Sequence, residues 1–236
     1  MESKQYRLMF DNEDYHWWFL GKRRFVKTLL PNDKKNLHIL DVGCGTGGMT
    51  KFLASWGSVV GIEPSKKAQV YLRKRKIIFS PITFEKYKSR KKYDLICFFD
   101  VLYHKNIISD LSALKKAYHF IKPNGLILIS DCALPYFYGT HDRVMFARQR
   151  YNLKEMENKV VNAGFTIIKS SYIYFFVFPL FVITRFIIKI IPLESLTSLP
   201  KLANRSLLAI CSVEAKLLEI FNFPIGSSII ILAKHK

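Results

Sequence analysis

Between positions 40 and 48 the chain reads Leu40-Asp41-Val42-Gly43-Cys44-Gly45-Thr46-Gly47-Gly48. A short apolar run, Leu37 to Leu40, leads into it, and Met49 to Ala54 suits the start of a helix. A strand that feeds a glycine loop and then a helix turns backbone N–H groups toward one point. A nucleotide-like ligand can approach closely there. Glycine suits such a loop because it tolerates positive φ and carries no Cβ to hold a ligand away. Gly43, Gly45 and Gly48 satisfy the dinucleotide spacing G-x-G-x-x-G, with Glu63 about 20 residues further on. A carboxylate ending the next strand is placed to accept hydrogen bonds from ribose hydroxyls. An ordinary glycine-rich turn would satisfy the spacing too, so the surrounding elements have to discriminate.

Those elements alternate. Leu37 to Val42 reads as a first strand, Met49 to Ser55 as part of a first helix, and Ser58 to Glu63 as a second strand. Pro64 and Ser65 open a basic helix to about Lys74. Ile77 to Phe79 suits a third strand and Tyr93 to Phe99 a buried fourth. Ile107, Leu111, Leu114, Tyr118 and Ile121 recur at helical spacing up to the turn Lys122-Pro123-Asn124-Gly125. Leu126 to Ser130, Phe165 to Tyr174 and Ser228 to Ala233 supply strands five to seven, with a helix from Asn152 to Ala163-Gly164. This order predicts an α/β fold: a doubly wound, mostly parallel, seven-stranded sheet. The expected divisions are a helical N-terminal lid (1–36), a sheet domain (37–175 and 225–236) and an apolar helical insertion (176–224).

The insertion separates the last two strands by some fifty residues. Phe175 to Leu193 is apolar and aromatic, broken by Pro179, Arg185 and Lys189. A spanning helix needs about 20 apolar residues, and this run carries two cations and a proline. It reads as a membrane-surface or substrate-covering element whose cations snorkel, with a buried cap on the domain as the alternative.

The chain has 236 residues and a formal net charge of +19, from 37 Lys and Arg against 18 Asp and Glu. Half of it is apolar, which excludes a disordered polypeptide. Lys66 to Lys92 is the densest basic stretch, with Glu85 its only acid. Such charge suits an anionic membrane surface, RNA or a phosphate-bearing substrate, although a lysine-rich composition alone would also produce it. Cys44, Cys97, Cys132 and Cys211 are widely spaced and lack partner histidines, so reduced thiols are expected and no metal site. Met1 to Asp14 is polar, unlike a signal peptide. These features point to a cytoplasmic protein, peripheral at the membrane.

Asp41 ahead of the glycines gives acidic-x-Gly-x-Gly-x-Gly, which resembles the cofactor loop of class I S-adenosylmethionine-dependent methyltransferases. Tyr93-Asp94-Leu95-Ile96, leading to Phe99-Asp100-Val101-Leu102-Tyr103-His104, is similar to that superfamily's fourth-strand motif. Phe120-Ile121-Lys122-Pro123-Asn124-Gly125-Leu126 resembles its turn before strand five. The resemblance implies a Rossmann-like methyltransferase fold with S-adenosylmethionine held by Asp41, Gly43, Cys44, Gly45, Gly47, Glu63 and Asp100. Asp41 would orient the methionine ammonium, and the helix start would offer donors to its carboxylate. One departure stands out. The acidic residue that usually meets the adenine amine is missing from Pro81-Ile82-Thr83-Phe84.

His16-Trp17-Trp18-Phe19 with Arg23-Arg24 resembles the start of a methyltransferase subgroup found with polysaccharide and lipid-linked glycan pathways. Gly139-Thr140-His141-Asp142 with Arg148, Arg150 and Tyr151, and Glu214 with Phe223-Pro224-Ile225-Gly226-Ser227-Ser228, are similar to its later segments. Methyl transfer needs alignment and exclusion of water, and a hydroxyl acceptor needs a base as well. His141 with Asp142 beside it is the first candidate base, and His104 the second. Each histidine could instead be structural. Arg148, Arg150 and Tyr151 are candidates to grip the acceptor, and Trp17 and Trp18 to wall its pocket or to pack the lid.

The expected activity is O-methylation of a small or lipid-linked acceptor, with no nucleic acid as partner. RNA methylation is the rival that the charge favours. Phe99-Asp100-Val101-Leu102 stands where base-modifying enzymes carry a [DN]-P-P-[YFW] motif. A non-catalytic cofactor-binding membrane protein is the second rival.

Overall fold

The computed structural model describes residues 3–31, 33, 35–188 and 199–236. Two helices, α1 (Ser3–Asn12) and α2 (Trp17–Leu29), precede the first strand, β1 (Leu37–Val42). Then come α3 (Gly48–Leu53), β2 (Gly57–Ile62), α4 (Lys66–Lys74), β3 (Phe79–Ser80), β4 (Tyr93–Phe99), α5 (Asp110–Phe120) and β5 (Ile121–Cys132). The chain continues through α6 (Thr140–Val144), α7 (Leu153–Asn162), β6 (Phe165–Ile173), α8 (Phe178–Ile188), α9 (Lys201–Leu217) and β7 (Ser228–His235).

The strands form one seven-stranded sheet in the order β3-β2-β1-β4-β5-β7-β6. β7 runs antiparallel between β5 and β6, and the remaining neighbours pair in parallel. The order reverses between β1 and β4, and such a switch point opens a crevice beyond the carboxyl ends of the strands.

Alternation along the strands fills both faces. Leu40, Ile96, Phe98, Ile127 and Ile129 pack with Leu114, Ala117, Met156 and Val160 of α5 and α7. Ile39, Leu95, Cys97, Leu128 and Ile230 pack with Phe25 and Val26 of α2 and with Cys211 and Ala215 of α9. The insertion therefore has an inner side in the core, and α9 lies against α2. Its outer side differs: Ile183, Leu202 and Val213 are exposed, near exposed Lys201, Arg205 and Lys216. The inner side is thus a buried cap on the sheet. Among the described residues no helix is long and apolar enough to cross a membrane. Positions 189–193 of the apolar run, with Lys189, lie outside the described residues.

Three boundaries differ from those the sequence predicts. The third strand is Phe79–Ser80, because Lys76 takes a positive φ and Ile77 N–H bonds back to Leu72 O at 3.0 Å, closing α4. The fifth helix begins at Asp110, capped by Ser109, whose Oγ accepts the Ser112 N–H at 3.2 Å. Ile107 precedes it as a buried loop residue. Ile121 to Gly125, expected as a turn, is the first part of β5.

Candidate active site

A cavity of about 850 Å³ opens at the switch point. Val42, Gly43 and Gly45 from the glycine loop and Glu63 from the end of β2 form one side. His16, Trp17, Trp18, His104, His141 and Arg150 line it further along, with Val177, Leu180, Phe181 and Leu207 from the insertion.

The loop is built for close approach at one glycine and for packing at the others. Gly45 has φ +56°, and a Cβ there would enter the cavity with Met9 Cε as its nearest neighbour at 3.6 Å. At Gly43 a Cβ would stand 2.5 Å from Val101, and at Gly47 2.3 Å from Ile77, so both are needed by the fold. The Cys44 thiol turns inward and packs on Gly61, and a Cβ at Gly47 would also point into the interior, so neither side-chain direction opens on the cavity. Asp41 also lies beneath the loop, where its Oδ2 accepts the Thr50 hydroxyl at 2.6 Å. Burial, and then the Glu63 charge, push the Asp41 carboxyl up to about 7. Through Thr50, Asp41 ties the loop to the first turn of α3.

Glu63 stands on the cavity wall as the sequence predicts. Its Oε2 accepts the Gly45 N–H at 2.9 Å and its Oε1 the Ser65 N–H at 2.8 Å. Each oxygen keeps a further lone pair for a ribose hydroxyl. Burial raises the Glu63 carboxyl above its usual range, and the two N–H donors oppose that rise. Tyr6 of α1 sits over it, its hydroxyl pushed up to about 12 by burial and by the Glu63 charge.

The start of α3 is used differently from expectation. Glu13, buried at the end of α1, accepts the Gly48 N–H at 3.1 Å and the Thr46 hydroxyl at 2.9 Å. Arg75, the residue that caps the end of α4, pairs with the same carboxylate at 2.7 Å. A side chain of this chain therefore takes the Gly48 donor, which the sequence reading gave to the cofactor carboxylate.

On the acceptor side the candidates separate. Trp17 and Trp18 line the cavity, and Trp18 stacks on Tyr174 at 6.0 Å. Asn204 of α9 holds their helix in place: its Oδ1 accepts the Trp17 N–H and its Nδ2 donates to Tyr15 O, both at 2.8 Å. His141 and Arg150 also face the cavity.

Arg148 and Tyr151 do not, and their assignment to the acceptor is corrected. Arg148 donates to Ile107 O and Ile108 O at 2.9 Å, bracing the loop ahead of α5. Tyr151 is fully buried and donates to Leu102 O at 2.9 Å, beside Asp110. Asp142 is engaged by Arg150. Its carboxylate accepts the Gly139 N–H at 2.9 Å and the Arg150 Nε–H at 2.8 Å, in an ion pair whose side chains are each 2% exposed. His104 is a poor base: burial, and then nearby positive charge, push it down to about 4. Its Nδ1 accepts the Asn106 N–H at 3.1 Å, which leaves the proton on Nε2 as a donor.

Residues that suit an adenosyl sulfonium are present. They are an open glycine face at Gly45, the buried Glu63 carboxylate on the cavity wall and an apolar wall of Tyr6, Ile62 and Phe84. A family model described as a methyltransferase domain matches residues 16–170. The chain belongs to the class I S-adenosylmethionine-dependent methyltransferases. Its cofactor is S-adenosylmethionine.

A ubiquinone biosynthesis O-methyltransferase from Pelagibacter ubique is 34% identical to this methyltransferase over 103 residues, 41% of this chain and 42% of that protein. A phosphoethanolamine N-methyltransferase of Zea mays is 31% identical over 155 residues, 61% of this chain and 30% of that protein. The chain spans less than half the length of these curated relatives. Among solved structures, a methyltransferase from Thermotoga maritima, described as a possible histamine N-methyltransferase, superposes with a TM-score of 0.66. It is 17% identical, and the match covers 99% of this chain and 95% of that one. A phosphoethanolamine N-methyltransferase from Haemonchus contortus, solved with S-adenosylhomocysteine, has a TM-score of 0.58 at 18% identity, covering 89% and 51%.

When bound, S-adenosylmethionine supplies a methyl group already activated on a sulfonium, so the methyltransferase's own residues have to orient, enclose and exclude water. Several that do so carried no sequence signal. Glu13 acts on partners 33 and 62 positions away. Lys22, 3% exposed in its side chain, is one lysine in a basic chain until it is seen paired with Asp100. Glu85, one residue past the stretch searched for an adenine partner, lines the cavity.

Proposed function

We propose that this methyltransferase transfers the methyl group to an oxygen of a small amphipathic, lipid-linked acceptor at a membrane surface. The observation that carries this reading is the continuity of one cavity from Gly45 and Glu63 to the insertion's Val177, Leu180, Phe181 and Leu207. An apolar wall of that extent suits a hydrocarbon tail beside the reacting end. The outer face of the same insertion exposes Ile183, Leu202 and Val213 beside cations, and the chain carries +19, a combination that suits an anionic bilayer. The segments resembling the glycan-pathway subgroup meet at this cavity through Trp17, Trp18, His141, Arg150 and Ser228, which supports an acceptor of that kind. Relatives named for O-methylation in ubiquinone biosynthesis favour oxygen over nitrogen. α1 and α2 act as the lid, with Glu13 as its latch on the glycine loop.

The test is transfer of tritiated methyl groups from S-adenosylmethionine into a cell extract separated into lipid, water-soluble and RNA fractions. Label should enter the lipid fraction in an alkali-stable ether. Label in RNA, with binding that falls steeply as salt rises, would overturn the proposal in favour of an RNA methyltransferase.

A further inference from the structure

We infer that the edge of the sheet around β3 is a docking surface for an anionic bilayer, because ten exposed cations surround an exposed isoleucine there, beside the cavity. This rests on the membrane reading above and names the surface that carries its charge. Residues 66–92 hold eleven Lys and Arg against one acid, Glu85. Arg75 turns inward to Glu13. Of the other ten, Lys66, Lys67, Arg73 and Lys74 are exposed on α4, and Lys76 just past it. Lys86, Lys88, Arg90, Lys91 and Lys92 are exposed in the segment after β3. β3 is the last strand on its side of the sheet, so both groups lie where the sheet ends. α4 covers one face, with Tyr71 packed 4.7 Å from Phe10 of α1. The segment after β3 covers the other, with Phe84 packed 5.5 Å from Phe98 and 6.2 Å from Phe120 of α5. Cations therefore wrap the edge from both faces.

Among the described residues none of these ten pairs with a carboxylate. Like charges crowded in this way repel one another, and an anionic surface relieves the repulsion. The residues between them say which surface. Val70, 47% exposed, stands on the outward face of α4 that carries Lys66, Lys67, Arg73 and Lys74. Ile78, 72% exposed, stands directly ahead of β3. Apolar side chains ringed by cations fit a bilayer interface: the isoleucine enters it while the lysines meet anionic headgroups. A single-stranded RNA would stack its bases on free aromatic rings. The rings here are engaged. Tyr71 packs on Phe10, Phe79 lies 5.8 Å from the Arg73 guanidinium, and Tyr87 packs on Phe120 with its hydroxyl 2.6 Å from that of Tyr93.

The edge also reaches the cavity. Ser65, just ahead of Lys66, and Glu85, just ahead of Lys86, line it. The insertion lines the same cavity through Leu180 and Phe181. A single weak contact holds a protein only briefly at a membrane, and two together hold it firmly. The cationic edge and the apolar outer face of the insertion are those two contacts, each adjoining the cavity that takes the acceptor.

The test is affinity for vesicles of phosphatidylcholine alone and of phosphatidylcholine with about 30% phosphatidylserine, at about 0.1 M salt and above. Wild type is compared with a four-glutamine variant (Lys67→Gln, Lys74→Gln, Lys86→Gln and Lys88→Gln), with Ile78→Ser, and with Ile183→Glu plus Leu202→Glu. The substituted side chains are exposed, so each variant should keep its S-adenosylhomocysteine affinity within about twofold of wild type. Wild type should prefer the phosphatidylserine vesicles and bind them less tightly as salt rises. A cation at an anionic surface is worth about fivefold in affinity, so the four-glutamine variant should bind at least about 100-fold more weakly. Ile78→Ser should weaken binding about tenfold. Vesicle binding by the four-glutamine variant within about threefold of wild type, with the Ile183→Glu and Leu202→Glu protein unable to bind, overturns the inference and leaves the membrane reading standing. If wild type binds neither vesicle, both fall. RNA of about 30 nucleotides held by wild type and released by the four-glutamine variant, with no preference for phosphatidylserine, overturns the inference in favour of a nucleic-acid surface.

Discussion

Gly45→Ala separates what the glycine loop does for the fold from what it does for the ligand. The added Cβ meets Met9 Cε at 3.6 Å and Gly43 O at 4.0 Å, which are ordinary contacts, so the fold loses little packing. The backbone is different: φ +56° is left-handed, and an alanine there costs about 1 kcal/mol. Unfolding of the ligand-free variant in urea should therefore show a loss of about 1 kcal/mol with an unchanged slope. The methyl group projects into the space the cofactor must occupy. S-adenosylhomocysteine affinity should fall at least tenfold, about 1.4 kcal/mol, beyond any effect on stability. Gly43→Ala is the control. Its Cβ would stand 2.5 Å from Val101 at φ +68°, so overpacking of about 1–3 kcal/mol adds to the backbone cost. Calorimetric titration that finds Gly45→Ala binding S-adenosylhomocysteine within twofold of wild type would refute the placement of the cofactor over this loop.

Other expectations follow from single contacts. Asp41 has its folded pKa raised from 3.8 to about 7, so its neutral form is the favoured one in the folded chain. Its contribution is complete below about pH 4 and is lost as the pH climbs through 7, so Asp41→Asn should gain roughly 2–3 kcal/mol on wild type between pH 5 and 8 without ligand. Parallel pH–stability curves for the two proteins would contradict this. The buried Asp142–Arg150 pair should cost about 3–5 kcal/mol when either partner alone becomes alanine, and the double variant should cost less than the sum, measured by urea unfolding. Glu214, fully buried, accepts the Phe175 N–H at 2.9 Å and the Phe176 N–H at 3.2 Å just ahead of α8. Glu214→Ala should cost about 1–3 kcal/mol and loosen the insertion, seen as faster amide exchange from Phe175 onward. Ile183→Glu with Leu202→Glu should abolish flotation with phosphatidylserine vesicles and leave S-adenosylhomocysteine affinity unchanged.

Much of the fold was legible in the sequence because its signals are local. Alternation of apolar strands and helical periods depends on neighbours within a few positions, and it located the parallel strands and the glycine loop. Glu63 was found for the same reason, standing one strand after that loop. The boundary at β3 was missed because a two-residue strand has no period to read.

The division between sequence and tertiary structure follows the range of the interactions. By itself the sequence determined the order of elements, the loop at Gly43 and Gly45, the carboxylate at Glu63 and the membership of these in a methyltransferase fold. Only the folded chain decided which polar side chains face the cavity. Arg148 and Tyr151 share a segment with Arg150, yet they turn inward to brace Asp110 and its loop. Asp142 stands beside His141 in the sequence, and its pairing with Arg150 was not legible there. Glu13 reaches Arg75 across 62 positions and Lys22 reaches Asp100 across 78. A side chain's direction is set by the partners that packing delivers, and those partners come from elements that the linear order keeps far apart.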